Sequence, residues 1–132
     1  MKKVILLIIA LFLVVPAMAE DGDCEYLARI VANEMRDEPF IVKVAFCEML
    51  VNQTENDPFP PTLPAVAHTL GLSRAKTATE ADMYAAVIAL ERLCFFKDIF
   101  YCKKWSEVKN TPLEKTNGVH LYDWYFYSTG SM

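Results

Sequence analysis

The sequence has few of the features that mark repeat, disordered or multidomain proteins. Its 132 residues contain no internal repeat, no low-complexity tract and no segment with the composition of a linker. The longest apolar run, residues 4–15, has 12 residues, and a membrane-spanning helix needs about 20. These absences leave a single small domain with one hydrophobic core as the expected organisation of the chain.

The N-terminus has the pattern of a secretory signal peptide. Two lysines precede the apolar run, and small residues follow it up to Ala19. A basic start, a short apolar core and small residues at the end predict cleavage after Ala19. We therefore expect a signal peptide over 1–19, a domain over 20–132, and a secreted or cell-envelope protein without stable membrane insertion. An uncleaved N-terminal anchor is the alternative.

Basic residues are in the minority. Over 20–132 the chain keeps 11 lysines and arginines against 17 aspartates and glutamates, a formal net charge of −6. Nucleic acids and anionic membranes attract basic surfaces. The charge therefore argues against both as the main partner.

Metal-ligand patterns are also missing. The cysteines form no CxxC pair, and His68 and His120 lie far apart in the chain. We expect no metal site and no cofactor. A nucleophilic Cys47 with one of these histidines as its base is a weak alternative, because the neighbours of Cys47 are apolar and indicate burial.

The four cysteines all lie in the predicted exported part of the chain. An even number of cysteines in an exported protein indicates disulfides. We favour a pair between Cys94 and Cys102, because only a short segment separates them. Buried free cysteines are the alternative, since cysteine often packs as a small hydrophobic residue.

The remaining pattern is mainly helical. Thr77 and Glu80 match a capping box at the start of the clearest helix. The segment 118–128 is rich in β-branched and aromatic residues and predicts a strand or extended segment. The expected class is therefore mainly α, with a short C-terminal β or extended element. The predicted helices are 24–36, 41–53, 64–70 and 81–93.

A carboxylate interrupts the apolar face of the first predicted helix. Leu27, Ile30 and Val31 share this face, and Glu34 follows Leu27 by seven residues, a drift of only about 20°. Burial against apolar neighbours disfavours the charged form of a carboxylate, so such a group can stay protonated and act as a general acid. Glu34 is therefore a candidate catalytic residue.

Three structural explanations compete with catalysis for Glu34. The carboxylate can form an ion pair, with Arg36 or Arg74 as its partner. It can lie at the edge of the apolar face and reach solvent. It can also mark the point where the apolar face of the helix ends. Helical periodicity alone does not separate these alternatives.

The stretch LARIVANEMRDEPFIVKVAFCEMLVNQ, residues 27–53, resembles the opening motif of the SleB-type cell wall hydrolases, the spore cortex-lytic enzymes and their relatives. The family pattern reads L-A-R-x-V-x-x-E-[AS]-R-G-E-P, followed by a helix rich in valine and alanine that ends in L-N-R. FPPTLPAV, residues 59–66, resembles the next family segment, F-P-x-T-x-x-x-V. The resemblance implies a small lysozyme-like helical domain. The matching residues are Leu27, Ala28, Arg29, Val31, Glu34, Arg36, Glu38, Pro39, Val44, Ala45 and Asn52.

The resemblance also implies an activity. Family members cleave peptidoglycan glycan strands between N-acetylmuramic acid and N-acetylglucosamine, and several are lytic transglycosylases that form a 1,6-anhydro product. The family's catalytic acid falls on Glu34. The expected function is thus glycan-strand cleavage, as a lytic transglycosylase or muramidase, with peptidoglycan as the partner and Glu34 as general acid and base.

The sequence departs from the family pattern at several positions. Asp37 replaces a glycine, Gln53 replaces an arginine, and Glu48 replaces a small residue. The family usually has a G-Q-F-S stretch that lines the cleft, whereas residues 71–73 lack the glutamine. These departures favour the alternative function, a catalytically weak or inactive secreted module that binds the cell wall with the same fold.

Further substrate contacts are expected from aromatic residues near the C-terminus. Side chains alternate along a strand, so Tyr125 and Tyr127 face one way while Trp124 and Phe126 face the other. We expect the two tyrosines to line the groove, because hydroxyl groups favour a wet edge. Glu38 is expected mainly to fix the helix end or bind a backbone amide, with substrate contact as its lesser role.

Overall fold

Four helices precede a small sheet along the chain. The computed structural model describes residues 22–93, 95–96 and 98–128. This element order confirms the predicted class, mainly α with a short β element near the C-terminus. The helices are α1 (Asp23–Glu34), α2 (Phe40–Thr54), α3 (Leu63–Leu70), α4 (Glu80–Leu90) and the single turn α5 (Trp105–Val108), followed by a 3-10 turn at Pro112–Lys115. The strands are β1 (Tyr101–Lys104), β2 (Val119–Leu121) and β3 (Trp124–Tyr127).

Helix α2 lies at the centre of the helical part. Apolar residues occur on every side of it, and every residue from Val42 to Gln53 is buried. It packs against α1, α3 and α4. Ile41, in the first turn of the helix, is exposed. The central helix thus fixes the positions of the other three.

A capping box begins α4, but two residues later than predicted. Thr79 accepts a hydrogen bond from the backbone N–H of Asp82, and the Asp82 carboxylate accepts one from the backbone N–H of Thr79. The prediction of Thr77 and Glu80 was therefore wrong. Asp82 also forms a buried ion pair of 2.7 Å with Lys43 of α2. This tertiary contact favours the Thr79 register, since it ties the cap to the central helix.

The sheet has the strand order β1-β3-β2, and both pairings are antiparallel. Strands β2 and β3 form a hairpin whose turn contains Tyr122 in the left-handed region, with φ of 56°. Strand β1 lies outside the segment 118–128, the one stretch that the sequence analysis assigns to a strand or extended element. A four-residue strand acquires its structure from pairing with β3, which the local sequence does not encode.

Side chains of β3 alternate between two apolar clusters. Phe126 is fully buried in the main core with residues of α1, α2 and α4. Tyr125 and Tyr127 lie on the opposite face with Val108. The predicted separation of Phe126 from the two tyrosines is confirmed.

The predicted signal peptide, residues 1–19, lies outside the described residues. Within the described part of the chain, no helix combines the length and apolar character that crossing a bilayer requires.

Candidate active site

Glu34 is the last residue of α1. Its side chain is half-buried. Oε2 accepts hydrogen bonds from Nδ2 of Asn33 at 3.0 Å and from the backbone N–H of Ser73 at 3.1 Å. Among the residues that the structure describes, no arginine forms an ion pair with it. The carboxylate is thus held by two neutral donors and stays partly open to solvent.

Arg29 of α1 holds the loop that supplies the Ser73 amide. Its Nε donates a 2.6 Å hydrogen bond to the carbonyl of Ala75, and its own carbonyl accepts one of 2.8 Å from the Ala75 backbone N–H. This pair fixes the loop against α1 two residues after Ser73. Arg29 is therefore a positioning residue for the contact between Ser73 and Glu34.

The loop itself begins with a glycine that ends α3. Gly71 has φ of 70°, a left-handed conformation that glycine adopts without steric cost. The backbone N–H of Leu72 then donates to the carbonyl of Ala67 at 2.8 Å. This C-terminal cap turns the chain back toward α1. Residues 71–73, compared above with the cleft-lining segment of the family, therefore lie beside Glu34.

The turn between α1 and α2 accounts for one departure from the family pattern. Asp37 has φ of 65°, in the left-handed region where a glycine is most easily placed. Aspartate is among the few other residues that tolerate this conformation. Asp37 is also exposed. The position thus requires a left-handed backbone conformation rather than a particular side chain, which explains why aspartate can replace glycine there.

Glu38 follows in the same turn and is half-buried. Its backbone N–H donates to the carbonyl of Met35 at 3.2 Å. Its carboxylate forms no hydrogen bond with any residue that the structure describes, so the expected side-chain contact to a backbone amide is not formed. A substrate contact by Glu38 stays a prediction.

An apolar cavity of about 300 Å³ lies between α2, the end of α3 and β1. Leu72, the residue before Ser73, contributes to its wall, and so does Tyr127. Burial, Cys102 and Tyr101 raise the pKa of the Tyr127 phenol above its usual value. Tyr127 shares this cavity wall with Leu72, the residue before Ser73, and stays a candidate substrate contact. The other lining residues are Phe46, Met49, Gln53, Leu70, Phe100, Tyr101, Cys102 and Lys103.

Tyr125 and Tyr127 are equally buried, each 4% exposed, and the contacts of the Tyr125 hydroxyl decide its role. The Tyr125 hydroxyl donates to the Thr116 carbonyl at 2.8 Å and contacts the Thr116 hydroxyl at 3.0 Å. The Tyr125 ring stacks on Tyr127 with centroids 5.8 Å apart. The Tyr125 hydroxyl, which was expected to line the groove, is thus bonded to Thr116 inside the fold. We therefore assign Tyr125 to packing rather than to substrate contact.

The other two departures from the family pattern serve the fold. Glu48 is 1% exposed and accepts hydrogen bonds from the backbone N–H groups of Phe95 and Phe96 at 2.8 and 3.1 Å. Burial raises the pKa of Glu48, although these bonds and Arg92 act in the opposite direction. Gln53 donates to the Phe100 carbonyl at 2.6 Å. Both side chains hold the segment that leads into β1.

Burial disfavours the thiolate form of Cys47 and Cys102. Cys47 is fully buried, and burial raises its pKa well above the usual value, which argues against a nucleophilic role. Burial also raises the pKa of Cys102 to about 12. Cys102 is a free thiol in the structure, while Cys94 lies outside the described residues. The pairing of Cys94 with Cys102 stays a prediction.

Over the described parts of the chain, histidine, cysteine, aspartate and glutamate side chains do not gather into a group of three or more that could hold a metal ion.

Comparison with solved structures supplies a fold relationship. The structure resembles the catalytic domain of the germination-specific lytic transglycosylase SleB from Bacillus anthracis, with a TM-score of 0.64 and 19% sequence identity. The match covers 80% of this chain and 93% of that chain. The SleB catalytic domain from Bacillus cereus gives the same TM-score and identity, with 81% and 90% covered. The predicted lysozyme-like fold is thereby confirmed.

Sequence-level comparisons give no such relationship. No protein-family model matches the chain, and no curated protein matches it. The likeness to the two SleB domains therefore establishes the fold, and the activity has to be argued from the site.

The sequence predicts Glu34 as the catalytic acid, which stays a prediction, but it does not indicate the group that holds the carboxylate. Ser73 is 39 residues away in the chain, so no local pattern connects the two. Two features of the sequence belong to this region: Arg29 is part of the L-A-R motif, and residues 71–73 lie near the place of the family's cleft-lining segment but lack its glutamine. Neither feature predicts a backbone donor.

Proposed function

We propose that the protein cleaves the glycan strands of peptidoglycan, with Glu34 as general acid and base. The observation that carries this proposal is the placement of the Glu34 carboxylate. It is half-buried at the end of a helix, and it is bound by the N–H of Ser73, the residue next to the cavity wall at Leu72. A sheltered acid beside a cavity on a lysozyme-like fold is suited to protonating a bound glycosidic oxygen.

The chemistry needs one carboxyl group. The protonated Glu34 donates its proton to the glycosidic oxygen as the bond to C1 of the muramic acid breaks. The resulting carboxylate then accepts the proton of the sugar's own 6-hydroxyl, whose oxygen attacks C1 and closes a 1,6-anhydro ring. Glycosidases that use water require two carboxyl groups at defined separations. The intramolecular route avoids this requirement.

The two donors around Glu34 fix the position of its carboxyl group. The Ser73 N–H and the Asn33 amide both donate to Oε2. These contacts tie the end of α1 to the loop after α3 and orient the carboxyl group for the two proton transfers of this cycle.

The fold relationship favours the anhydro route. Both solved structures are SleB catalytic domains, and one is named as a lytic transglycosylase. We extend this to the present chain and place its action in the cell envelope, after signal peptide cleavage at Ala19. Mass measurement of the exported chain tests that location, because an N-terminus at Glu20 is expected and an intact Met1 would contradict it.

The activity is tested by incubating purified protein with isolated peptidoglycan and analysing the released products by mass spectrometry. Anhydro-muramic ends are expected. Reducing muramic ends would instead indicate hydrolysis. Retention of the protein on insoluble wall without any released product would contradict the proposal and indicate the alternative, a wall-binding module.

A further inference from the structure

A second cavity, of about 490 Å³, adjoins the candidate active site. It shares Leu72 with the apolar cavity, and Ser73, whose N–H binds Glu34, also lines it. The remaining wall comes from α1, α3 and the loop that follows α3. Its basic and aromatic side chains are Tyr26, Arg29, His68 and Arg74.

The charge of this cavity contrasts with that of the protein. No aspartate or glutamate lines it, although acidic residues outnumber basic ones by 17 to 13 in the chain. Within the described residues, neither arginine nor His68 takes part in an ion pair. Two guanidinium groups that no carboxylate neutralises make the cavity a site for an anion.

The two arginines differ in which of their guanidinium nitrogens are available to a ligand. Arg29 uses Nε to hold the Ala75 carbonyl, so its binding capacity is confined to its terminal nitrogens. Arg74 is exposed, and its guanidinium lies over the Tyr26 ring at 4.6 Å from the centroid. Stacking on a ring face leaves the edge of the guanidinium open for a planar, bidentate acceptor such as a carboxylate.

We propose that this cavity binds a carboxylate carried by the muramic acid residue of the substrate. The inference rests on the proposed function, since it takes the glycan strand as the ligand. Each muramic acid has a lactyl group that ends in a carboxyl group, either free or extended by a peptide with carboxylates of its own. A sugar bound at Glu34 would direct this substituent toward the cavity that Ser73 and Arg74 line.

The binding test uses two soluble probes that the protein does not cleave. N-acetylmuramic acid presents the lactyl carboxylate, and N-acetylmuramyl-L-alanyl-D-isoglutamine presents a peptide carboxylate. Each is titrated, alongside its methylamide, against the purified protein by NMR. The probe whose acid form binds more tightly than its amide identifies which carboxylate the cavity takes. We expect about tenfold tighter binding for that acid.

Matched variants test whether the difference in binding between acid and amide arises in this cavity. Arg74→Gln is expected to remove most of the difference between acid and amide, and His68→Gln to reduce it. Lys76→Gln is the control, because Lys76 is an exposed cation of the same loop that does not line the cavity. It removes the same charge and is expected to preserve the difference.

The outcomes separate this inference from the proposed function. Equal binding of acid and amide for both probes would overturn the carboxylate site. An equal loss of the difference between acid and amide in the Arg74 and Lys76 variants would also overturn it. Both results hold even if the protein cleaves peptidoglycan. A preference for the acid that depends on Arg74, in a protein that releases no product, would support the carboxylate site and contradict the cleavage activity.

Discussion

The backbone amide of Ser73 lies 3.1 Å from Oε2 of Glu34 and donates a hydrogen bond to it. The contact joins the end of α1 to the loop after α3. It makes the position of the carboxylate depend on tertiary structure rather than on the helix alone. Residues that fix the loop therefore control the candidate acid without touching it.

Arg29 should be the most sensitive of these positioning residues. Arg29→Gln removes the charged donor to the Ala75 carbonyl and is expected to lower the free energy of unfolding by about 1.5–3 kcal/mol. Because the loop then loosens around Ser73, kcat should fall, and KM should rise as well, since Arg29 also lines the second cavity. Urea denaturation and steady-state kinetics on peptidoglycan measure the two effects.

The control for this prediction is Lys115→Gln, since Lys115 is an exposed cation in the 3-10 turn. Its effect on stability is expected to stay within about 0.5 kcal/mol. An Arg29 variant with normal stability and normal kcat would show that the loop holds its position without this bond.

Replacing Asp37 with the glycine of the family pattern should stabilise the protein. Its φ of 65° is easier for glycine than for aspartate, although aspartate tolerates it, and the change is expected to contribute about 1 kcal/mol. Activity should not change, because the position sets the shape of the turn. Arg36→Gly, one residue earlier and outside the left-handed region, should destabilise by about 0.5–1 kcal/mol. Equal effects of the two glycines in urea denaturation would contradict this explanation.

The buried ion pair between Lys43 and Asp82 should make stability depend on pH. Burial alone would raise the pKa of Asp82, but the hydrogen bonds from Lys43 and Thr79 hold it below its usual value. A lowered carboxyl pKa contributes stability at neutral pH, and this contribution is lost as the pH falls below about 4.

Asp82→Asn should therefore cost about 3–5 kcal/mol near neutrality, and the difference from wild type should shrink at about pH 3. Glu91→Gln, at an exposed position just after the same helix, serves as the control. Urea denaturation at both pH values gives the comparison. A difference that stays constant with pH would show that the carboxylate charge of Asp82 is not what stabilises the contact.

The helices were predictable because their signals are local. The periodicity of α1 and the apolar composition of α2 lie within single segments, and the predicted bounds of these two helices differ from those observed by one or two residues. The register of the α4 cap was not predictable, because both Thr77 and Thr79 precede an acidic residue by three positions. The contact of Asp82 with Lys43 decides between them.

The site was predictable only in part. Glu34 is a candidate from the sequence because an acid interrupts the apolar face of a helix and because the family's catalytic acid falls on this position. Strand alternation predicted Tyr125 as a groove residue. Alternation indicates which side chains share a face of the strand, but it does not indicate which residues cover that face. Thr116, which binds the Tyr125 hydroxyl, comes from a turn whose path the sequence does not specify. The cavity lined by Arg74 and His68 likewise exists only once α3 and its following loop pack on α1.

The most direct test of the account is the activity of Glu34→Gln on peptidoglycan, followed by mass spectrometry of anhydro-muramic products. Glutamine keeps the size of the side chain and an acceptor for the Ser73 amide, so folding should be preserved and thermal unfolding should match wild type. Loss of the acid should lower kcat by roughly 10²–10⁴-fold. Product release within about twofold of wild type, a change that requires only about 0.4 kcal/mol in barrier height, would show that Glu34 is not the catalytic acid.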